Sequence, residues 1–422
     1  MTPGAAAAAA GLRAEEPSWE DAPDEETAED LAVHRFASLA EVPEDVWAAL
    51  SEADSLYVSR PWSEALTRSN PALPVAFWAV AGPDGGWLAG APVHLFDAAP
   101  PSPTYSPWSL HPGLVEDADA VRALPHALVG TRNGQGNGLL WAPGAAGTEL
   151  RAAAVTALAA GIRAALPGHA VVWTYTPPAL AHRLAEALPG ARVLFADTTA
   201  ELRVPEARAE NEEPDFLGSV RASQRRRLRA DLAAIAAAGG PVEPELDPEA
   251  VAGLSEELAP LLGQVMARHG HTPDVPALAR YLRACAAPDL RPAAFVVREE
   301  GRAIAFSLCV SHGDEMSVRV CGLDHEAVEA RGAMDYAQVS VHGPVALAAR
   351  TGVRRIDLGV GTLDAKLMRG AHPRALATVV SLPSDGGHAL LPGLELARLP
   401  LLVEQSRVLA ARRPEGWSDL ED

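Results

Sequence analysis

The sequence predicts an α+β fold: a mixed, mostly antiparallel sheet flanked by helices, arranged in two halves. Three observations carry that expectation. Phe295–Val297, Ala303–Val310 and Met316–Cys321 are β-rich runs joined by the short turns Arg298–Gly301 and His312–Glu315. A helical stretch stopping at Thr351-Gly352, a strand Arg355–Leu358, a short helix and a last strand Ala375–Leu382 follow, which requires a crossover connection. The first half echoes this order, with a hairpin Val75–Val80 and Trp87–Phe96 around Pro83–Gly86, and then alternating helices and strands.

The elements follow in turn. Residues 1–30 combine an alanine run with nine acids against one arginine, and are expected to be a disordered acidic tail. Val33–Phe36 is a strand; Pro43–Leu50 and Pro61–Thr67 are short helices with proline near their starts. Pro100–Pro112 is a proline- and aromatic-rich loop. Ala127–Val129 and Leu139–Trp141 flank the glycine-rich turn Asn133–Gly138. Thr148–Ala165 is helical, Ala170–Tyr175 a strand, Ala179–Ala187 a helix and Arg192–Val204 extended. Ala207–Asp215 is an acidic joint, which divides the chain into halves 31–206 and 207–385, with a C-terminal helix and tail at 386–422 that includes the amphipathic Leu394–Ala411. Asp215 is expected to cap a helix running to Gly239-Gly240, with Arg221, Arg225 and Arg229 on one face and Val220, Leu228 and Leu232 on another. Val251–Arg268 and Pro276–Cys285 are further helices.

Bulk properties narrow the function. A chain of 422 residues can bury a large core in two or more domains. Its net charge of −20, acidic beyond the tail as well, argues against a non-specific binder of nucleic acid or anionic membrane. Three cysteines, Cys285, Cys309 and Cys321, are too few and too badly spaced for a disulfide framework or metal cluster, and read as buried thiols. His269-Gly-His271 lacks further ligands nearby. No run approaches the ~20 apolar residues that span a bilayer. The alanine run has no basic flank of the kind a secretory signal carries, so a cytoplasmic location is expected.

Candidate chemistry gathers in the second half. Gly359 and Gly361 break the chain at the carboxyl end of a strand, where mixed sheets place ligands. Lys366 and Arg369 follow; a lysine there can stabilise an oxyanion, or merely pair with Asp364 or Asp357 at the surface. Arg331-Gly332 before a helix suits a pyrophosphate. Asp324, His325 and Asp335 can accept a proton, or act as caps; Tyr336 and His342 leave the same choice open. Arg221, Arg225 and Arg229 can hold a phosphate-bearing substrate, or form a solvated face. Asn133–Gly138 lacks the Gly-Lys-Ser/Thr ending of a phosphate loop. There is no Ser-His-Asp nucleophile elbow.

The order of elements, with Gly322-Leu323-Asp324 after the third strand and Lys366-x-x-Arg369-Gly370 after the fourth, resembles the GNAT-like N-acyltransferases. Within them it is most similar to the branch related to the FemABX peptidoglycan aminoacyltransferases. The resemblance implies tandem GNAT-like halves and a strand that splays from its neighbour to receive the donor's arm. It implies that Lys366 stabilises the oxyanion beside a gap floored by Gly359 and Gly361; Arg331, Gly332 and Arg369 are the further candidates for donor binding, and a carboxylate (Asp324 or Asp335), a histidine or water takes the proton. Tyr336, His342 and the arginine helix would face substrate. The acetyl-CoA signature Q/R-x-x-G-x-G/A is absent; only Arg331-Gly332-Ala333 stands there. The expected activity is transfer from a thioester, acyl-CoA, to a small-molecule amine, with no tightly bound cofactor. An aminoacyl-tRNA-dependent ligase acting on a cell-wall precursor or secondary metabolite is one alternative. A catalytically silent GNAT-like binding protein is the other.

Overall fold

The computed structural model describes residues 31–100, 102–111, 114–144, 150–206 and 215–383. The expected acidic tail, nearly all of the joint 207–215 and the expected C-terminal helix lie outside the described residues.

Thirteen strands form one sheet: β1 (Ala32–Phe36), β2 (Glu52–Ala53), β3 (Val75–Ala81), β4 (Trp87–Phe96), β5 (His126–Val129), β6 (Leu140–Trp141), β7 (Ala170–Thr176), β8 (Arg192–Arg203), β9 (Ala293–Glu299), β10 (Arg302–His312), β11 (Glu315–Leu323), β12 (Arg355–Asp357) and β13 (His372–Ser381). The main path runs β1-β3-β4-β5-β7-β13-β8-β12-β11-β10-β9. Only β5–β7 and β11–β12 are parallel, so the sheet is mixed and mostly antiparallel.

The order shows a duplication that residue identity hides. In each half three antiparallel strands lead to a parallel fourth: β3, β4, β5 and β7, then β9, β10, β11 and β12. The fifth strand is exchanged. β8, from the first half, pairs with β12, while β13, from the second, pairs with β7, and the two pair with each other at the centre. Neither half closes its own sheet.

Helices cover the sheet where apolar side chains face out. Leu150–Ala165 (α2) and Pro178–Glu186 (α3) bury Leu158, Ile162 and Leu184 against Trp78, Trp141 and Trp173. In the second half, Ser255–Arg268 (α5) and Val275–Cys285 (α6) cover one face of β10 and β11. They are joined there by Arg60–Ser69 (α1) from the first half, which inserts Trp62 and Leu66 beside Leu262, Leu282 and Phe306. The opposite face carries Met316, Val318 and Ile356 against Ala222–Ala237 (α4), Gly343–Thr351 (α8) and Leu363–Leu367 (α9).

Several expectations are corrected. Asp215 caps only a short turn, Phe216–Ser219, with its Oδ1 accepting from Gly218 N at 2.7 Å. The chain is extended at Val220 and Arg221 before α4 begins. Leu232, placed on one face with Val220 and Leu228, is 39% exposed; the buried stripe of α4 is Gln224, Leu228, Asp231 and Ile235, half of it polar. The connection after β11 contains a helix that its sequence did not announce, His325–Arg331 (α7). The helix expected from Ala333 is a helical turn, Asp335–Ala337, and a π-turn, Gln338–His342, leading into α8.

Candidate active site

The site begins where two strands separate. β11 is nine residues long, yet β12 pairs with it only at Glu315, Met316 and Ser317. Beyond that point the chain follows β8 instead: Leu358 N donates to Ala200 O at 2.8 Å and Ala200 N to Gly359 O at 3.3 Å. The edge of β11 from Val318 to Leu323 that faces away from β10 thus has no strand partner among the described residues. The turn that leaves it is left-handed at Gly359 (φ 69°), Gly361 (φ 75°) and Thr362 (φ 42°). A β-branched residue rarely takes that conformation, and such strain persists only where the surroundings enforce it.

Lys366, on α9, is one of the residues bonded to this turn. Its side chain is buried, and Nζ donates to Gly359 O at 2.9 Å and Val360 O at 3.0 Å. The surface pairing weighed from sequence is therefore corrected: the ammonium turns inward onto carbonyls. Burial lowers its pKa to about 8, against the pull of the nearby Asp357 and Cys321. It is also the only lysine among 422 residues; the other 34 basic side chains are arginines. Arginine cannot lose its proton, whereas lysine shifts readily when buried and presents a compact charge. A single lysine makes this directly measurable. Selective 13C and 15N lysine labelling is expected to give one side-chain signal titrating near pH 8; a midpoint near 10 would contradict the buried placement.

Residues distant in sequence hold the turn. Asp357 accepts from Thr199 Oγ1 at 2.7 Å, Gly359 N at 2.9 Å and Tyr57 OH at 3.1 Å. Tyr57 OH also bonds Ser317 Oγ, so a first-half phenol bridges the two strands where they part. Val360 N donates to Gln135 Oε1 at 3.2 Å. Gln135 comes from the glycine-rich turn, and its neighbour Gly134 must be glycine because a Cβ there would lie 2.2 Å from the Tyr57 ring. Sequence reasoning missed Tyr57, Gln135, Thr199 and Asp357 in these roles. The one available signal was a glycine cluster that matched no phosphate loop.

Arg369 is buried against Asp231, its Nε 2.7 Å from Oδ2, while Nη1 donates to Ala365 O at 2.9 Å. His342 Nε2 approaches the same carboxylate oxygen at 3.4 Å; burial lowers the His342 pKa while Asp231 opposes. Gln224 Nε2 completes the seam by donating to Leu367 O at 2.8 Å. Arg369, expected at the donor, ties α4 to the segment bearing Lys366, and His342, expected at the substrate, lies between α4 and the π-turn before α8.

Other expectations also change. Asp324 caps α7 through Ala327 N at 3.1 Å and meets Arg302 Nη1 at 2.6 Å; those contacts lower its pKa and make it a poor base. Arg331 donates to Ala238 O at 2.8 Å, and Gly332 is the left-handed cap of α7. Asp335 is buried at the start of the next helical turn, 3.7 Å from Arg331, with both carboxylate oxygens lacking a hydrogen bond. Its electrostatic neighbours are Arg331 and Glu299, whereas those of Lys366 are Asp357, Cys321 and Asp197. Arg221 stands at the N-cap of α4, and Arg225 folds back onto Leu217 O at 2.7 Å, Val220 O at 3.1 Å and Gly218 O at 3.2 Å. Arg229 is exposed beside Arg226 over a shallow surface depression. Tyr336 does reach the cleft: its hydroxyl lies 3.2 Å from Thr362 Oγ1, with Cys321 among its neighbours.

The gap between a parallel strand pair is walled by a left-handed glycine turn and a buried ammonium. Residues 222–367 match the family of acetyltransferase (GNAT) domains. The chain as a whole has the FemX fold: it is 13% identical to the crystal structure of FemX, with a TM-score of 0.53, covering 88% of this chain and 100% of that one. L-PGS from Bacillus licheniformis is 14% identical with a TM-score of 0.45, covering 86% of this chain and 96% of that one. A tandem GNAT protein from the clavulanic acid biosynthesis pathway is 13% identical with a TM-score of 0.38, covering 84% and 100%. No curated protein matches the sequence. Among the described residues no cluster of His, Cys, Asp or Glu could hold a metal ion, and no helix is long and apolar enough to cross a membrane.

Proposed function

We propose that the protein transfers an acyl group from a thioester, acyl-CoA, to a small-molecule amine by direct attack. The observation carrying this reading is the unpaired edge of β11 beside the buried Lys366. An exposed strand edge takes an extended, amide-bearing arm through backbone hydrogen bonds, which is how a pantetheine-like chain would lie. Its carbonyl carbon would then sit by the Gly359–Gly361 turn. The amine nitrogen forms the new bond there, the carbonyl oxygen takes negative charge that Lys366 stabilises, and the thiolate leaves as the tetrahedral centre collapses. The ammonium proton passes to water. The halves 31–206 and 207–385 would both contribute, since Tyr57 and Gln135 hold the catalytic turn from the first.

A second reading has its own observation. Asp335 places a buried carboxylate at the helix start where a pyrophosphate would be expected, and a second anion beside it is disfavoured. That favours an aminoacyl ester donor of the FemABX-like kind, acting on a cell-wall precursor or secondary metabolite. Incubation with radiolabelled acetyl-CoA or with charged tRNA, over a panel of amines, decides between them. Label transferred only from acetyl-CoA supports the first reading, and only from charged tRNA the second; transfer from neither removes both. Activity is expected to fall as pH rises through about 8, because only the protonated Lys366 stabilises the oxyanion.

A further inference from the structure

Arg319 sits at a bulge. Leu308 faces Val320 and Cys309 faces Val318, which leaves Arg319 without an opposite residue on β10. The bulge turns the strand over: Val318 packs with Ile356 and Leu367, whereas Val320 packs with the cluster of Trp62 and Phe306 on the opposite face. Arg319 joins the latter side. Its guanidinium carbon lies 5.6 Å from the ring centres of Trp62 and Tyr281 and 5.9 Å from that of Tyr57. Nη2 donates to Asn133 Oδ1, and Nε is buried without a partner. The residue before that asparagine, Arg132, repeats the pattern: Nη2 donates to Leu66 O at 2.6 Å and Nε is buried without a partner.

The largest electrostatic partners of Arg319 are Tyr281, Tyr57, Tyr105 and Cys285, and those of Arg132 are Tyr281 and Tyr105; neither arginine makes an ion pair with a carboxylate among the described residues. Two cations held without a counter-charge are costly, and contact with aromatic faces returns only part of that cost. Something anionic is missing. Tyr57 indicates where it belongs, because its ring lies near Arg319 while its hydroxyl bonds Asp357 and Ser317 at the strand gap.

We propose that Arg132 and Arg319 form an anion subsite that receives a carboxylate or phosphate carried by the amine acceptor, on the side of the sheet opposite the Lys366 turn. The assignment to the acceptor rests on the acyl-transfer reading; the anion site itself does not. Two measurements on the full chain test them separately. In thermal melts at constant ionic strength, with sodium chloride as reference, the wild-type midpoint is expected to rise with acetate or inorganic phosphate. Arg319→Met should melt no lower than wild type in chloride and lose the response; Arg132→Gln should lose it too. A response unchanged in both variants overturns the subsite. In transfer assays, glycine is compared with glycinamide and phosphoethanolamine with ethanolamine. Arg319→Met is expected to lower kcat/KM for the anionic member that wild type prefers by roughly 10- to 100-fold, and to leave the neutral partner within about twofold. Equal losses on both members make Arg319 a structural prop and sink the proposal. Were no transfer found with any donor, the thermal arm would still decide on the anion site alone.

Discussion

Lys366→Met is expected to lower kcat for acyl transfer by about 10²–10³-fold while changing stability little. The first magnitude is what loss of one preorganised oxyanion donor costs. The second follows from the lysine's position. Its pKa falls from 10.5 to about 8, so keeping it charged at neutral pH costs the folded state roughly 3 kcal/mol. Methionine has similar length and removes that penalty, but it leaves the Val360 carbonyl without its lysine, at about 1–3 kcal/mol. The terms nearly cancel. A lysine kept only to brace the turn would behave differently: replacement would destabilise the fold and affect activity in proportion. Urea unfolding beside single-turnover transfer therefore separates the roles, and Lys366→Arg sharpens the comparison. Arginine keeps the charge but spreads it over a planar fork too large for the two-carbonyl seat, so rescue should be slight. Wild-type turnover in Lys366→Met would remove the oxyanion role outright.

Much of this centre was legible in the sequence, and the illegible parts share a cause. The strands β9–β11 announce themselves through local β-rich runs, and Gly359, Gly361 and Lys366 stand close enough together to be seen as one unit. Periodicity reports local order, so α7 escaped detection: a seven-residue helix without a buried residue leaves no apolar stripe. It also misplaced the inward face of α4, because the seam there is polar. Leu232 looked like core only under the assumption that apolar means buried, while Asp231 and Gln224 had claimed the interior. The strand exchange was invisible for another reason. Ala375–Leu382 was identified as a strand, but its partners β7 and β8 lie about two hundred residues earlier, and no local signal encodes such pairing. Tyr57 and Gln135 enter the site only because of that topology and the insertion of α1 among second-half helices.

The polar seam beneath the Lys366 turn carries the other large effect. Asp231→Ala is expected to destabilise the protein by about 3–5 kcal/mol, since it leaves the Arg369 guanidinium buried without a counter-charge. Exposed pairs elsewhere, such as Arg283 with Glu256, contribute no more than about 1 kcal/mol. The loss alone does not show why a buried ion pair occupies this seam, because well-packed apolar residues often serve stability equally well. The double variant Asp231→Leu with Arg369→Met addresses that. It removes both charges at similar volume and is expected to recover most of the stability lost in Asp231→Ala. Its transfer activity should stay depressed with KM for the donor little changed, because Arg369 Nη1 holds the Ala365 carbonyl and so fixes how α9 presents Lys366. Recovery of both stability and kcat would mean that packing alone sets the lysine's position. Recovery of stability without kcat would mean that the directional bond from Arg369 sets it.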